Sequence, residues 1–246
     1  MPLILDTIST KAPKEFDKDE TKDKLVSILE ELDELQNLLY ANKKYSVLAI
    51  IQGMDASGKD GAIKNVFGTL NPLGVAAKPF KAPTEEELEH DFLWRIHKYV
   101  PAKGAIQIFN RSQYEDVLIT RVHKWIDDTV AYERMEAINN FEKLLRDHNQ
   151  TIILKFYLHV SREKQLERLN ERLTNVRKNW KSNPNDFKEL ELWDDYMKAY
   201  EDCFQKCNVI PWTIVPADQN WYKEYVIANS LLEALKKLDM KYPSLK

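Results

Sequence analysis

The apolar run Ser46-Val47-Leu48-Ala49-Ile50-Ile51-Gln52 passes directly into Gly53-Met54-Asp55-Ala56-Ser57-Gly58-Lys59-Asp60-Gly61. Two glycines frame four residues and a lysine follows the second, giving G-x-x-x-x-G-K. A chance match to so short a pattern occurs in many unrelated chains. The context is what constrains this one: a strand before it and a helix after it commit the chain to an open α/β sheet with an anion site at the end of its first strand. The backbone N–H groups of such a loop, here from Gly53, Ala56, Ser57, Gly58 and Gly61, converge on anionic oxygens, and the helix N-terminus adds a favourable dipole. Lys59 supplies the charge and is placed to contact phosphoryl oxygens. Gly53, Gly58 and Gly61 let the backbone approach.

Two residues depart from the usual loop. The position after the lysine normally carries a Ser or Thr whose hydroxyl helps to bind magnesium. Here it is Asp60, and a second carboxylate, Asp55, lies inside the loop. Negative charge beside phosphate repels it, so carboxylates there make sense when a divalent cation bridges them to the phosphate. Asp55 therefore reads as a Mg²⁺ ligand, direct or through water, or as a group that orients a phosphate nucleophile. Mn²⁺ is the alternative ion.

Around this unit strand and helix signals alternate. Leu25, Ile28, Leu29, Leu32, Leu35, Leu38 and Leu39 recur at steps of three and four and predict an amphipathic helix over 21–42, ahead of the first strand. Residues 1–20 read as an irregular polar arm. Further strands are predicted over 75–80, 104–109, 151–158 and 209–215. Helices are predicted over 59–70, 84–99, 112–125, 130–148, 161–173, 186–206 and 221–238, with Thr84 and Glu87 spaced as a capping box. The alternation favours a mainly parallel five-stranded sheet with helices on both faces, an α/β three-layer αβα sandwich. One core over 46–246 follows an N-terminal arm and helix over 1–45.

A second constellation falls where the 104–109 strand ends: Asn110-Arg111-Ser112-Gln113-Tyr114-Glu115-Asp116. Ligands of open α/β sheets bind beyond the carboxyl ends of strands, so Arg111 points at the same crevice as Lys59. An arginine there can clamp a phosphate bidentately and stabilise charge as it moves. Glu115 lies one helical turn on, within reach of a metal or an acceptor. The plainer reading, that Asn110 and Ser112 cap a helix whose first turn is acidic, is compatible with this one.

A third lies after the 151–158 strand. Lys164, Arg168 and Arg172 repeat every four residues on one helix face, beside a stripe of Glu163, Glu167 and Glu171. An exposed helix with internal ion pairs explains most of that pattern. Arg177, Lys178 and Lys181, around Trp180, lack matching acids and extend a basic surface. In P-loop kinases the segment after a late strand often forms a mobile lid whose arginines close over phosphates, and about 161–185 is the right place for one.

The remaining numbers exclude more than they assign. With 246 residues the chain is long enough for a buried core, and a net charge of −3 leaves no global field to recruit a polyanion. Aromatic residues are not interleaved with the basic lid except at Trp180, which argues against a nucleic-acid partner. No apolar run approaches the ~20 residues of a membrane span, and the N-terminus lacks a signal-peptide pattern. Cys203 and Cys207 stand four apart in one predicted helix, which disfavours a disulfide and fits a reducing cytoplasm.

With these pieces assembled, the sequence resembles the polyphosphate kinase 2 family over nearly its whole length. The resemblance is carried by Gly53–Gly61, Phe80-Lys-Ala-Pro-Thr84, His90-Asp-Phe-Leu-Trp-Arg95, Phe109–Leu118, the 172–181 segment, Trp193-Asp-Asp-Tyr196 and Pro216-Ala-Asp218. It implies a thymidylate-kinase-like P-loop fold with a helical lid, dependence on magnesium, and reversible phosphoryl exchange between inorganic polyphosphate and nucleotides. By the same transfer Asp55, Lys59 and Arg111 form the catalytic set. Arg121, Arg168, Arg172, Arg177 and Lys178 hold the phosphate chain. Lys81, Arg95, Asn110 and Glu115 lie on the acceptor side, with Glu115 a second metal ligand beside Asp55.

Many members carry Asp at the position of Asn110 and Asn at that of Glu115. The version here resembles the class that accepts AMP as well as ADP, with guanine nucleotides as further acceptors. Asn175-Val176, where Asp-Pro is common, departs from the pattern at the lid turn. The family also implies homodimers or homotetramers. Two rival readings of the residues are an ATP-dependent nucleoside monophosphate kinase and a non-catalytic P-loop module that binds nucleotide or nucleic acid.

Overall fold

A computed structural model describes residues 3–244. Its centre is a five-stranded sheet, β1 (Ser46–Gln52), β2 (Val75–Pro79), β3 (Ile106–Asn110), β4 (Thr151–His159) and β5 (Trp212–Pro216), in the order β2-β3-β1-β4-β5 with every pairing parallel. Every residue of β1 is buried, as expected for a parallel strand covered on both faces. Its neighbours are β3, with Ile51 opposite Asn110, and β4, with Ile51 opposite Phe156. The chain leaves β1 toward β2 and leaves β3 toward β4. The first connection passes over one face of the sheet and the second over the other, so the loops after β1 and β3 part to opposite faces and a crevice opens between the carboxyl ends of the two strands.

Helices cover both faces. On one side α1 (Lys18–Asn42) packs along α10 (Asn220–Lys236), which also touches α2 (Lys59–Ala62) behind the loop. Helix α1 starts three residues before the predicted boundary because Asp17 caps it, accepting from the backbone N–H of Asp19 and Glu20 at 2.8 and 3.0 Å. It buries Leu25, Leu32, Gln36 and Leu39 as one stripe. On the other side α6 (Asp128–Asn149) packs on β4 and on α9 (Trp193–Lys206).

Three predicted helices are broken. The 84–99 segment forms two single turns, α3 (Glu85–Leu88), with its capping box in place, and α4 (Trp94–His97). The 112–125 segment is a 3₁₀ turn over Gln113–Val117 and then α5 (Ile119–Val122). The 186–206 helix breaks at Leu192 into α8 (Asn185–Glu191) and α9. Helix α7 (Arg162–Thr174) follows β4 as predicted, capped by Ser161, and leads into a 3₁₀ turn over Asn179–Lys181.

The N-terminal arm is irregular but not loose. Leu5 is fully buried, and its N–H donates to Glu201 at 2.7 Å. His159 contacts the Ile8 carbonyl, and Thr10 donates to Asp218.

Candidate active site

The loop after β1 is shaped from outside by two cations. Arg168 of α7 donates to the carbonyls of Ala56 and Ser57, both at 3.1 Å, and through its other nitrogen to Ala217 at 2.8 Å. Lys223 of α10 donates to the Gly58 carbonyl at 3.2 Å. Three successive carbonyls are thus drawn toward fixed positive groups, which orders the loop that carries the N–H cradle. The turn needs two of its glycines. Gly53 (φ 148°) and Gly58 (φ 97°) lie in the left-handed region, and a Cβ at Gly58 would sit 2.4 Å from the Lys223 amine. At Gly61, by contrast, a Cβ would meet no protein atom within 4 Å.

Lys59, nearly buried, donates back into the loop, to the carbonyls of Gly53 at 2.7 Å and Met54 at 2.9 Å. Burial, and then the nearby Arg111 guanidinium, push its amine down to about 8. Arg111 follows β3 with φ 64°, a left-handed backbone on a non-glycine residue. Its N–H donates to the Ile51 carbonyl at 3.1 Å, and its guanidinium lies between Asp55 and Glu115, the latter at 3.0 Å. Glu115 and then burial act on Arg111 in opposite senses, and the carboxylates prevail, holding the guanidinium firmly charged. Lys59, Asp55, Arg111 and Glu115 therefore meet at the β1–β3 crevice.

Two recesses adjoin this cluster. A narrow one is lined by Gly53, Asp55, Arg111, Glu115, Glu189 and Tyr196. The other is a cavity of about 590 Å³, within the usual size of a small-molecule site, shared by Arg111 and Glu115 with Lys81, Arg95, Asp116, Trp125 and Arg134. Burial raises Asp116 to about 6 in that cavity, against the pull of Arg134 and Arg95.

The polyphosphate kinase 2 family model matches residues 15–243. The chain belongs to the polyphosphate kinase 2 family. An AMP/ADP-polyphosphate phosphotransferase of Meiothermus ruber is 43% identical over 242 residues, 94% of this chain and 90% of that protein. An ADP-polyphosphate phosphotransferase of Rhodopseudomonas palustris is 41% identical over 87% of this chain and 79% of that one. The crystal structure of polyphosphate kinase 2 from Arthrobacter aurescens TC1 superposes with a TM-score of 0.95 at 40% identity, covering 99% of this chain and 88% of that chain. The P-loop three-layer sandwich read from the sequence is thus the fold of the chain.

Not every family-derived site residue converges on the crevice. Arg121 is held by Asp128 and Asp202, each at 2.7 Å, and lines neither recess. Arg168 is committed to loop and β5-end carbonyls. Arg172 pairs with Asp186 at 2.6 Å. Lys178 and Lys181, predicted to lack acids, have them: Lys178 pairs with Glu171 at 2.6 Å, and Lys181 reaches across to Asp60. Glu171 is also spaced for pairs within α7 and Asp60 is distant in sequence, so neither partner is evident locally. Arg177 has no ion pair among the described residues. Asp60 also accepts from Asn110 at 2.8 Å. Burial raises it, but the bonds from Lys181 and Asn110 outweigh that and leave it below the usual carboxylate range. Arg95 lines the larger cavity from behind, donating to the Lys81 carbonyl and pairing with Glu87.

Sequence reading did not single out Lys223, Glu189 or Tyr196 for the site. Lys223 gives no local signal, since only the packing of α10 brings it to Gly58. Glu189 and Tyr196 face each other across the α8–α9 break, bonded at 2.7 Å, and His123 adds a contact to Glu189 at 3.0 Å. Among the described residues no group of three or more His, Cys, Asp or Glu forms a metal cluster. Mg²⁺ takes one or two carboxylates and completes its shell with water and substrate phosphates. Asp55, alone or with Glu115, has the right donors, although both now face Arg111.

Proposed function

We propose that this chain transfers the terminal phosphoryl group of inorganic polyphosphate to ADP and to AMP, reversibly, with Mg²⁺ or Mn²⁺ as the cofactor. The observation that carries the reading is the convergence of Lys59, Asp55, Arg111 and Glu115 between the ends of β1 and β3, in a chain of this family. Lys59 and Arg111 stabilise charge on the phosphoryl group in flight. The acceptor phosphate oxygen is a competent nucleophile, so no strong base is required. A divalent cation held by Asp55, alone or with Glu115, would neutralise the adjoining phosphates. The nucleotide occupies the cavity bounded by Lys81, Arg95 and Trp125, with its phosphates toward Arg111. The polyphosphate approaches from the lid side past Arg177.

The test is ATP formation from ADP with polyphosphate as sole phosphoryl donor, read by luciferase and repeated with AMP, GDP and GMP by chromatography. The parent protein should form ATP without added ATP. Lys59→Met should lose about 10²–10³-fold in kcat, the scale of one lost transition-state donor, with its circular dichroism unchanged. A parent that phosphorylates nucleoside monophosphates only from ATP would make it an ordinary nucleotide kinase instead.

A further inference from the structure

We propose that the buried Lys155–Glu142–Tyr114 network is a positioning device for Arg111 and Glu115, holding the chain after β3 in the strained conformation that phosphoryl transfer requires. This rests on the function proposed above, and none of the three residues lines either recess of the site.

Lys155 lies in the middle of β4 and Glu142 on α6, and both side chains are wholly removed from water. Every donor of the lysine is used: Glu142 Oε2 at 2.9 Å, Tyr114 Oη at 2.8 Å and the Cys207 carbonyl at 2.8 Å. The other carboxylate oxygen accepts from Tyr114 Oη at 2.6 Å and from Gln113 Nε2 at 3.3 Å. A buried ion pair is a poor source of stability, because apolar side chains of equal volume often serve as well or better. This pair offers something else. It gives two consecutive residues, Gln113 and Tyr114, a shared charged anchor built from two other elements.

Those residues follow Arg111 by two and three positions. A left-handed backbone on an arginine persists only where its surroundings over-determine it. The backbone bonds next to it are few: one to the neighbouring strand, Arg111 N–H to Ile51, and two within the turn, Tyr114 N–H to Ser112 Oγ at 3.3 Å and Glu115 N–H to the Ser112 carbonyl at 3.1 Å. The same short 3₁₀ turn carries Tyr114 inward to the anchor and Glu115 outward to Arg111. With the anchor released, Arg111 is free to relax to an ordinary backbone, and its guanidinium leaves the place between Asp55 and Glu115. The network thus acts through Arg111 and touches no substrate.

The experiment is a double-mutant cycle on polyphosphate-dependent ATP formation, with Tyr114→Phe made in the parent and in Arg111→Ala. Tyr114→Phe should lower kcat at least tenfold in the parent while KM for ADP and polyphosphate changes less than threefold. In the Arg111→Ala background it should cost less than twofold. Leu32→Ala is the control, since Leu32 is fully buried on α1, on the opposite side of the sheet from α6, and takes no part in the network. It should retain kcat even where its loss of Tm matches that of Tyr114→Phe. An unchanged kcat in Tyr114→Phe, losses that simply multiply across the cycle, or an equal loss of kcat in Leu32→Ala would each overturn the inference. If Tyr114→Phe does not fold, Gln113→Ala enters the same cycle with the same expectations. A parent without polyphosphate-dependent activity would instead reject the proposed function, so the two failures are distinct.

Discussion

Lys59 is the residue whose environment makes the sharpest demand. It is nearly buried, bonded only to loop carbonyls, and its amine is pushed down to about 8 by burial and by Arg111. A free lysine titrates near 10.4. A bound phosphate places negative charge against the amine and raises its pKa again, so the complex holds a proton that part of the free protein lacks. The sign follows: affinity for a phosphate ligand falls as pH rises through about 8, and binding at that pH takes up protons. Calorimetric titration with tripolyphosphate near pH 8, in two buffers of different ionisation enthalpy, should show net proton uptake in the parent and little in Lys59→Met. Lys223 is also pushed down to about 8, by burial and then by Arg168. It faces a carbonyl rather than the crevice, so Lys223→Met should retain most of the uptake. At this scale the sequence was most legible where chemistry is local. The spacing of Gly53, Gly58 and Lys59 placed the loop, and the strand end placed Arg111. The role of Asp60 was not legible, because its partner Lys181 comes from the lid, far along the chain.

Among the elements, α7 is the one for which structure and family resemblance lead to different expectations. The resemblance makes Arg168 a holder of the phosphate chain, whereas the geometry gives its donors to the carbonyls of Ala56, Ser57 and Ala217. A planar guanidinium suits several fixed carbonyls at once, and a lysine cannot reproduce that fork. Arg168→Lys should therefore lower kcat about tenfold through a disordered loop, while the salt dependence of KM for polyphosphate stays as in the parent. Arg177→Ala removes a lid cation with no ion pair, so it should weaken that salt dependence and raise KM, by the counterion argument that holds for any polyanion. The opposite pattern would return Arg168 to the phosphate chain. Helix interruptions were the elements the sequence hid. The periodicity over 112–125 predicts one helix, but the turn after Arg111 tightens to 3₁₀, with Tyr114 drawn toward a carboxylate on α6. The break at Leu192 likewise brings Glu189 to Tyr196. In both places a tertiary contact overrides a local preference, and both lie at the site.

At the scale of the whole molecule, the parallel sheet and its crevice were legible because alternating strand and helix signals leave few topologies open. The arm was not, since nothing local in residues 3–16 predicts where it lies. It runs over the carboxyl ends of β4 and β5. Leu5 is buried, Thr10 bonds to Asp218 at 2.8 Å, the Ala12 N–H donates to Gln219 at 2.7 Å, and Phe16 packs on Tyr222. Asp218 also accepts from the Ser161 N–H at 2.8 Å, and its carbonyl takes Arg168 at 3.2 Å. The arm, the base of α7 and the loop after β1 are thus joined through Asp218 and Arg168. If that path is cooperative, an arm residue far from the crevice should unfold with the core rather than fray alone. Leu5→Ala leaves a cavity in a fully buried place, a loss of roughly 2–5 kcal/mol. At this chain length each kcal/mol moves Tm by about 2–4 °C, so the variant should melt at least about 4 °C lower in a single transition. Hydrogen exchange at the Ser161 amide should quicken with it. An unchanged Tm, with faster exchange confined to residues 3–16, would make the arm a separate local unit and leave the lid base to Asp218 and Arg168 alone.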